Sequence, residues 1–412
     1  MKNARPTYLL YFIGLLPFIM VIGNSMFIPL LPQMQVDMGL TTTEGGWLLT
    51  SFSIPAALLV PFGGILSDRY GRKKITLIAL PFIIIGCVIS AFAGMRGDEA
   101  GSFQLMMVGR VCQGIGAGGV TPLAMAFISD LYQGEQRNRA LGAIEVFNGA
   151  GKVISPIIGG LVLAFSWYFS FVVFLAVAIF AFVGIKLFIP TEPSARNDFE
   201  KNNEKVGRIK KLFIHHWRWL IPILVSGSIG MFLLFGYLFY FSYLLESTVR
   251  FSAFLNGVLL AFPLLVLTIL SYSTARNLKR NETQYKRAFI YGTMLMIAGS
   301  FLMLTDDSLG WFVGAIVIYS FGFGMLLPAA NAALASIVSK KERGTVFSFY
   351  TMLRFLGVAL GPLCFGIWMN DVQQMMFTAL FFVSLNALIL LYSWRCLPLG
   401  KECNTVELHV YK

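Results

Sequence analysis

Charge is scarce in this chain: only 13% of its 412 residues are Asp, Glu, Lys or Arg, about half the share of an ordinary soluble protein. In its place stand 57% hydrophobic residues, 38 of the total being Phe, with a mean hydropathy of +0.73. Two soluble cores cannot hide that much apolar surface, so a bilayer must solvate it. No small-residue cleavage site follows the apolar run that starts at Tyr8 behind Lys2 and Arg5. The run continues past Phe27 and reads as a retained first span rather than a signal peptide. The five cysteines (Cys87, Cys112, Cys364, Cys396, Cys403) form no Cys-x-x-Cys pair, and the three histidines (His215, His216, His409) have no ligand partners at useful spacing. A metal site or a disulfide framework is therefore not expected. No Ser/His/Asp set or His/Asp/Glu cluster occurs within an apolar run, which argues against a membrane-embedded enzyme. No nucleotide-binding loop occurs, which argues against an ATP-driven pump. The expectation is a protein without cofactor that carries a solute rather than transforming it.

Runs long enough to cross a bilayer lie near 8–30, 46–66, 75–95, 103–127, 141–164, 168–190, 219–244, 253–275, 288–305, 310–335, 345–369 and 375–396. Alternate loops hold the cations: Arg69, Arg72, Lys73 and Lys74; Arg137 and Arg139; Arg196 to Arg218; Arg276 to Arg287; Lys340, Lys341 and Arg343. The opposite loops hold Asp37, Glu44, Asp98, Glu99, Glu246, Asp306, Asp307 and Asp371, with Arg96 and Arg250 as their only cations. Lys and Arg are retained on the cytoplasmic side during insertion. Both termini are thus expected inside a bacterial cytoplasmic membrane that the chain crosses many times. The formal net charge of +12 follows from that topology and calls for no nucleic-acid partner. The fold class expected is an all-α integral membrane protein of twelve transmembrane helices in two six-helix pseudo-repeats. Residues 1–190 form the first bundle, 191–218 a cytoplasmic linker with room for a short amphipathic helix from Val206 to Trp219, and 219–412 the second bundle with a short tail.

The two halves match at a constant offset of 206 residues: Gly116, Gly118, Pro122, Arg137, Gly151, Pro156 and Gly160 return as Gly322, Gly324, Pro328, Arg343, Gly357, Pro362 and Gly366. Parallel six-helix repeats build a central substrate site near the bilayer midplane, with access alternating as the halves rock.

Three stretches carry a family pattern. The loop after the second span reads Gly64-Ile-Leu-Ser-Asp-Arg-Tyr-Gly-Arg-Lys73. The fourth span holds Arg110, Gln113, Gly114, Gly116 and Ala117, and the fifth holds Gly142, Gly151, Ser155, Pro156, Gly159 and Gly160. The loop resembles the signature G-x-L-a-D-R-x-G-R-K of the major facilitator superfamily. The fourth span resembles its R-x-x-Q-G-x-G-A motif. The fifth resembles the antiporter motif G-x8-G-x3-G-P-x2-G-G, with Ser155 standing where that motif has its Gly-Pro glycine. Together they are similar to the twelve-span drug:proton antiporter branch. The resemblance implies export of a small molecule against inward proton flow. It also implies a cytoplasmic gate at Gly64, Asp68, Arg69, Gly71 and Arg72, with Arg110 in substrate or proton handling. The alternative role of the fifth-span glycines is close helix packing.

Arg110, Glu145, Lys152 and Arg354 are ionisable residues inside the spans. Charges at such depth cost roughly 3 kcal/mol or more and are functional candidates by default. Glu145, Asn148 and Lys152 share a helix face by their spacing, and Arg354 stands at the repeat position of Asn148. The substrate cavity is expected to hold Arg110, Gln113, Asn148, Lys152, Arg354, Asn24, Tyr237 and Tyr240, with Glu145 and Arg110 coupling the proton. An acid on the first or seventh span, common in multidrug members of the family, is missing. A positive cavity favours an anionic or zwitterionic cargo such as an acidic metabolite or a catecholate siderophore, while the resemblance favours multidrug export. Import of a small organic anion by symport is the alternative direction. The expected partners are a small-molecule substrate, protons and the lipid bilayer, with the protein a monomer.

Overall fold

The structure, a computed structural model, describes residues 8–97, 101–190, 200–248, 252–278, 282–306, 308–337 and 343–393. Asp98, Glu99, Arg250, Asp307, Lys340, Lys341, Cys396, Cys403, His409, linker residues 191–199 and both termini lie outside the described residues. All regular elements among the described residues are helical. They are α1 (Tyr8–Ser25), α2 (Leu31–Met38), α3 (Thr42–Tyr70), α4 (Arg72–Met95), α5 (Ser102–Val120), α6 (Leu123–Leu131), α7 (Gly134–Leu163), α8 (Phe169–Phe188), α9 (Glu200–Thr248), α10 (Ala253–Asn277), α11 (Glu282–Leu302), α12 (Leu309–Ile337), α13 (Arg343–Trp368) and α14 (Val372–Tyr392).

Eleven helical stretches among the described residues are long and apolar enough to cross a membrane. The expected span at 288–305 is α11, whose first turns carry Glu282, Lys286 and Arg287 and so dilute its apolar run. The first span is two helices, α1 and α2, joined by a short 3₁₀ turn at Ile28–Leu30 where Pro29 and Pro32 interrupt the backbone ladder. The fourth is α5 and α6, broken at Thr121 and Pro122. Thr41 starts α3 with a capping box, its side chain accepting from the Glu44 N–H while Glu44 accepts from the Thr41 N–H at 2.8 Å. The stretch from Val206 to Trp219 is helical and belongs to α9.

Two compact units divide the described chain. The first takes residues 1–196, 236–265 and 358–367; the second takes 197–235, 266–357 and 368–412. In the first unit α5 wedges between α3 and α4. A Cβ at Gly118 would collide with the Ala56 carbonyl, and one at Gly86 would meet the Gly109 carbonyl at 2.5 Å. Small residues are therefore needed for these backbones to touch. In the second unit a Cβ at Gly322 on α12 would collide with the Gly292 carbonyl on α11. Gly116, the repeat partner of Gly322, meets the Ala79 carbonyl on α4 in the same manner, at 2.6 Å. The sequence repeat is thus a repeat of helix contacts.

Candidate functional site

Arg110 is the best-anchored of the intramembrane cations. Its Nε donates to the Leu48 carbonyl at 2.9 Å, Nη1 to Gln113 Oε1 at 2.8 Å and Nη2 to the Gly23 carbonyl at 2.7 Å. The Phe27 and Phe52 rings lie 4.5 and 4.7 Å from the guanidinium carbon. The α1 break explains why a cation belongs here. Phe27 N–H turns to the Asn24 carbonyl, so the Gly23 carbonyl loses the helical donor four residues on. A guanidinium at a helix C-terminus replaces that donor and faces the negative end of the helix dipole. Arg110 is only 1% exposed, and no carboxylate pairs with it among the described residues. Gln113 passes the network on, donating to Ser90 Oγ at 3.1 Å. Asn24 is also buried, its side-chain oxygen accepting from Ser53 Oγ at 2.9 Å. Gln113 and Asn24, two of the residues expected in a cavity, are thus engaged inside the bundle.

The fifth span, α7, is different. Gly151 lies against Phe18, and Gly159 against the Met26 carbonyl, which turns one face of the helix to the first span. Gly160 meets the Ala253 carbonyl and lies 3.1 Å from the Gly257 Cα, which turns a second face to α10. Val146, Ile154 and Leu161 are 62, 44 and 50% exposed and form the apolar outer face. At about 100° per residue, Glu145, Asn148 and Lys152 fall within about 60° of one another and about 150° from that apolar face. They lie between the two packed faces. Glu145 is exposed, and Asn148 and Lys152 are half-buried. Glu145 makes no hydrogen bond or ion pair among the described residues. Ser155 is fully buried, a small side chain at the motif's glycine position. No side chain crowds Gly142.

At the α3–α4 turn, Gly71 has φ +94, a conformation that side chains disfavour. The turn holds a charge cluster. Arg72 Nε pairs with Asp130 Oδ2, Nη2 donates to Asp130 Oδ1 at 3.1 Å, and Asp68 lies 3.7 Å from the same Nη2. Lys73 Nζ donates to the Ile189 carbonyl at 2.6 Å, tying the turn to the end of α8. Arg69 stacks on Tyr70 at 4.8 Å, and Gly64 accepts a bond from Ser67 Oγ at 2.8 Å. Asp130 is the residue that sequence reasoning missed. Its signal was present: a lone acid in the last turn of the fourth span, on the side crowded with cations.

At the opposite end of α3, Thr42 Oγ1 donates to the Gly366 carbonyl at 3.0 Å and Thr50 Oγ1 to the Ala359 carbonyl at 2.6 Å. A Cβ at Gly366 would meet the Thr42 carbonyl at 2.7 Å. Gly366 is the repeat partner of Gly160, so the same motif position seals α13 to α3 and α7 to α10. Tyr237 is fully buried edge-on to Phe365 at 5.4 Å, and Tyr240 is half-buried. In the second unit, Arg354 is half-buried with its guanidinium 5.5 Å from the Tyr350 ring.

The Major Facilitator Superfamily profile matches residues 13–395, and the chain belongs to this family. A relative in Bacillus subtilis (strain 168), the bacillibactin exporter, is 35% identical over 91% of this chain and 93% of its own length. The multidrug transporter protein MdtP of the same organism is 25% identical over 90% of this chain and 76% of its own. The quinolone resistance protein NorA of Staphylococcus aureus is 29% identical over 45% of this chain and 46% of its own. Among solved structures, a D-xylose-proton symporter superposes with a TM-score of 0.76 at 15% identity, covering 96% of this chain and 98% of its own. The human organic anion transporter MFSD10 superposes with a TM-score of 0.69 at 18% identity, covering 94% and 100%. The protein is a multi-pass membrane transporter of the major facilitator fold, and not an enzyme.

Proposed function

We propose that the protein is a proton-driven exporter whose cargo is an anionic amphiphile, a siderophore of the bacillibactin kind. The observation that carries this reading is the relation to the bacillibactin exporter over nearly the full length of both chains. The site chemistry supports it. Glu145, an unpaired carboxylate on α7, can load and release a proton, and Lys152 two turns on offers an anion a cation on the same face. Broad multidrug efflux is the second reading, favoured by the likeness to MdtP.

In this reading residues 1–190 and 219–412 are the two rocking bundles, joined by residues 191–218. The protein works as a monomer in a bacterial cytoplasmic membrane with both termini inside. Asp68, Arg72 and Asp130 gate the cytoplasmic side, and the Gly160 and Gly366 seams form the outer gate. The test is flux in proteoliposomes under an imposed pH gradient. Bacillibactin should move against the proton flow and stop when the gradient is collapsed. Transport of cationic dyes alone would favour multidrug efflux, and uptake along the proton flow would favour symport.

A further inference from the structure

The two arginines deep in the spans have opposite surroundings, and the contrast assigns them different work. Arg110 gives a hydrogen bond to a protein acceptor from each of its three nitrogens. Arg354 makes no hydrogen bond or ion pair among the described residues: its Nε is buried without a partner, and its guanidinium lies 5.5 Å from the Tyr350 ring. Tyr350, one turn earlier on α13, is itself fully buried, and its hydroxyl has no partner either. The hydroxyl fills space left by a glycine on α9, since a Cβ at Gly227 would sit 2.5 Å from it. Ser228 Oγ, which could have served it, donates instead to the Leu353 carbonyl at 2.9 Å.

A buried donor without an acceptor costs about 1–3 kcal/mol, more when charged. Two such donors on adjacent turns of one helix are uncommon, because buried polar groups are nearly always paired. They sit about 10 and 16 Å along a helix about 39 Å long, Arg354 near its middle and Tyr350 one turn toward its start. We propose that Tyr350 and Arg354 form an anion subsite in the second unit, completed by a ligand that brings two adjacent oxygens of negative character, as a catecholate or an aromatic carboxylate does. Arg354 supplies the charge and a fork of N–H donors, and Tyr350 supplies a hydroxyl donor and a ring that sets the guanidinium plane. The cargo's anionic oxygens thus have a dedicated site in the second unit, separate from Glu145 in the first. The proposal rests on the export reading for its cargo, and it deepens that reading.

The experiment measures binding of bacillibactin, 2,3-dihydroxybenzoate, salicylate and ethidium to the purified full-length protein and to Tyr350→Phe, Arg354→Lys and Arg354→Gln. Melting temperatures and bacillibactin export are recorded alongside. Tyr350→Phe should bind the anionic probes about tenfold more weakly, the loss of one hydrogen bond to a charged group. Arg354→Gln should lose more, Arg354→Lys should fall between, and ethidium should be unaffected. Because the hydroxyl has no protein partner, Tyr350→Phe should melt no lower than wild type, so a binding loss there cannot be a folding loss. If wild type binds an anionic probe and the three variants bind it equally well, the subsite is overturned while the export reading stands. If bacillibactin is not exported but salicylate binding depends on Tyr350 and Arg354, the subsite stands and the siderophore reading falls. If wild type binds none of the three anionic probes, the subsite is overturned.

Discussion

Arg110 Nη2 lies 2.7 Å from the Gly23 carbonyl, the acceptor that the break in the first span leaves without a backbone donor. The fourth-span arginine is therefore a cap for a broken helix as much as a charge in a membrane. Arg110→Ala would strand the Gly23 carbonyl and Gln113 Oε1 in the buried interior, while the Leu48 carbonyl keeps its bond from Ser51 Oγ at 3.2 Å. At 1–3 kcal/mol for each unsatisfied group, the variant should lose at least about 2 kcal/mol and melt below wild type in detergent. Arg110→Lys keeps the charge but lacks the planar fork, and should recover only part of the loss. Unchanged melting with abolished transport would place Arg110 in proton or substrate handling instead.

Asp130 and Arg72 are predicted to act as one unit. Their side chains are 31 and 23% exposed, so the pair is screened and contributes only about 1 kcal/mol to stability. Asp130→Asn should leave melting within about 1 kcal/mol of wild type while impairing transport as much as Asp68→Asn does. The charge swap Arg72→Asp with Asp130→Arg should restore part of the flux. A double-mutant cycle in transport rate with no coupling between the two positions would reduce the cluster to a topology signal.

The Gly160 and Gly366 seams yield a conformational prediction. Gly366→Val puts branched carbons against the Thr42 carbonyl, which cannot yield without parting α13 from α3. A Thr50→Cys thiol, buried in the parent, should then become reactive to an impermeant maleimide added outside, and export should fall by an order of magnitude or more. Protection of that thiol in the Gly366→Val background would show that the seam does not gate.

The loop charges predict an orientation, and the structure says where to probe it. Asp37 is a poor reporter because Trp167 Nε1 and Gln33 Nε2 donate to its two oxygens at 2.8 and 2.6 Å. Val36, 76% exposed, and Lys74, also exposed, make no such contacts. Val36→Cys should be labelled from outside in intact cells and Lys74→Cys only after permeabilisation. The reverse pattern would invert the topology.

Hydropathy and charge made the helices legible in sequence, since a span needs only length and apolar composition. The offset of 206 residues made the contact repeat legible, because glycines that let backbones touch must recur where the contacts recur. Burial was not legible. Arg110 and Lys152 carry the same charge at similar depth, yet Arg110 is 1% exposed inside the bundle and Lys152 is half-buried. The difference depends on the first-span break and on which residue then offers a free carbonyl. Asp130 was hidden for a related reason. Its partner lies 58 residues away, and spacing along one helix carries no information about contacts between helices.

The last prediction concerns how the proton is coupled. Glu145 lies on α7, exposed and without a hydrogen bond or ion pair among the described residues, and Lys152 stands about 10 Å along the same helix. If a monoanion leaves as one proton enters, two charges move in the favourable direction, each about 2.3 kcal/mol per 100 mV. Glu145→Gln removes the proton site but leaves shape and hydrogen-bonding capacity nearly intact. It should bind bacillibactin within about twofold of wild type, exchange it across proteoliposomes at equilibrium, and fail to concentrate it under a pH gradient or a membrane potential. Lys152→Ala should retain the gradient response but weaken anionic cargo far more than cationic dyes. Normal gradient-driven export by Glu145→Gln would move the coupling site elsewhere. Cationic dyes preferred by wild type and indifferent to Lys152 would replace the anion reading with multidrug efflux.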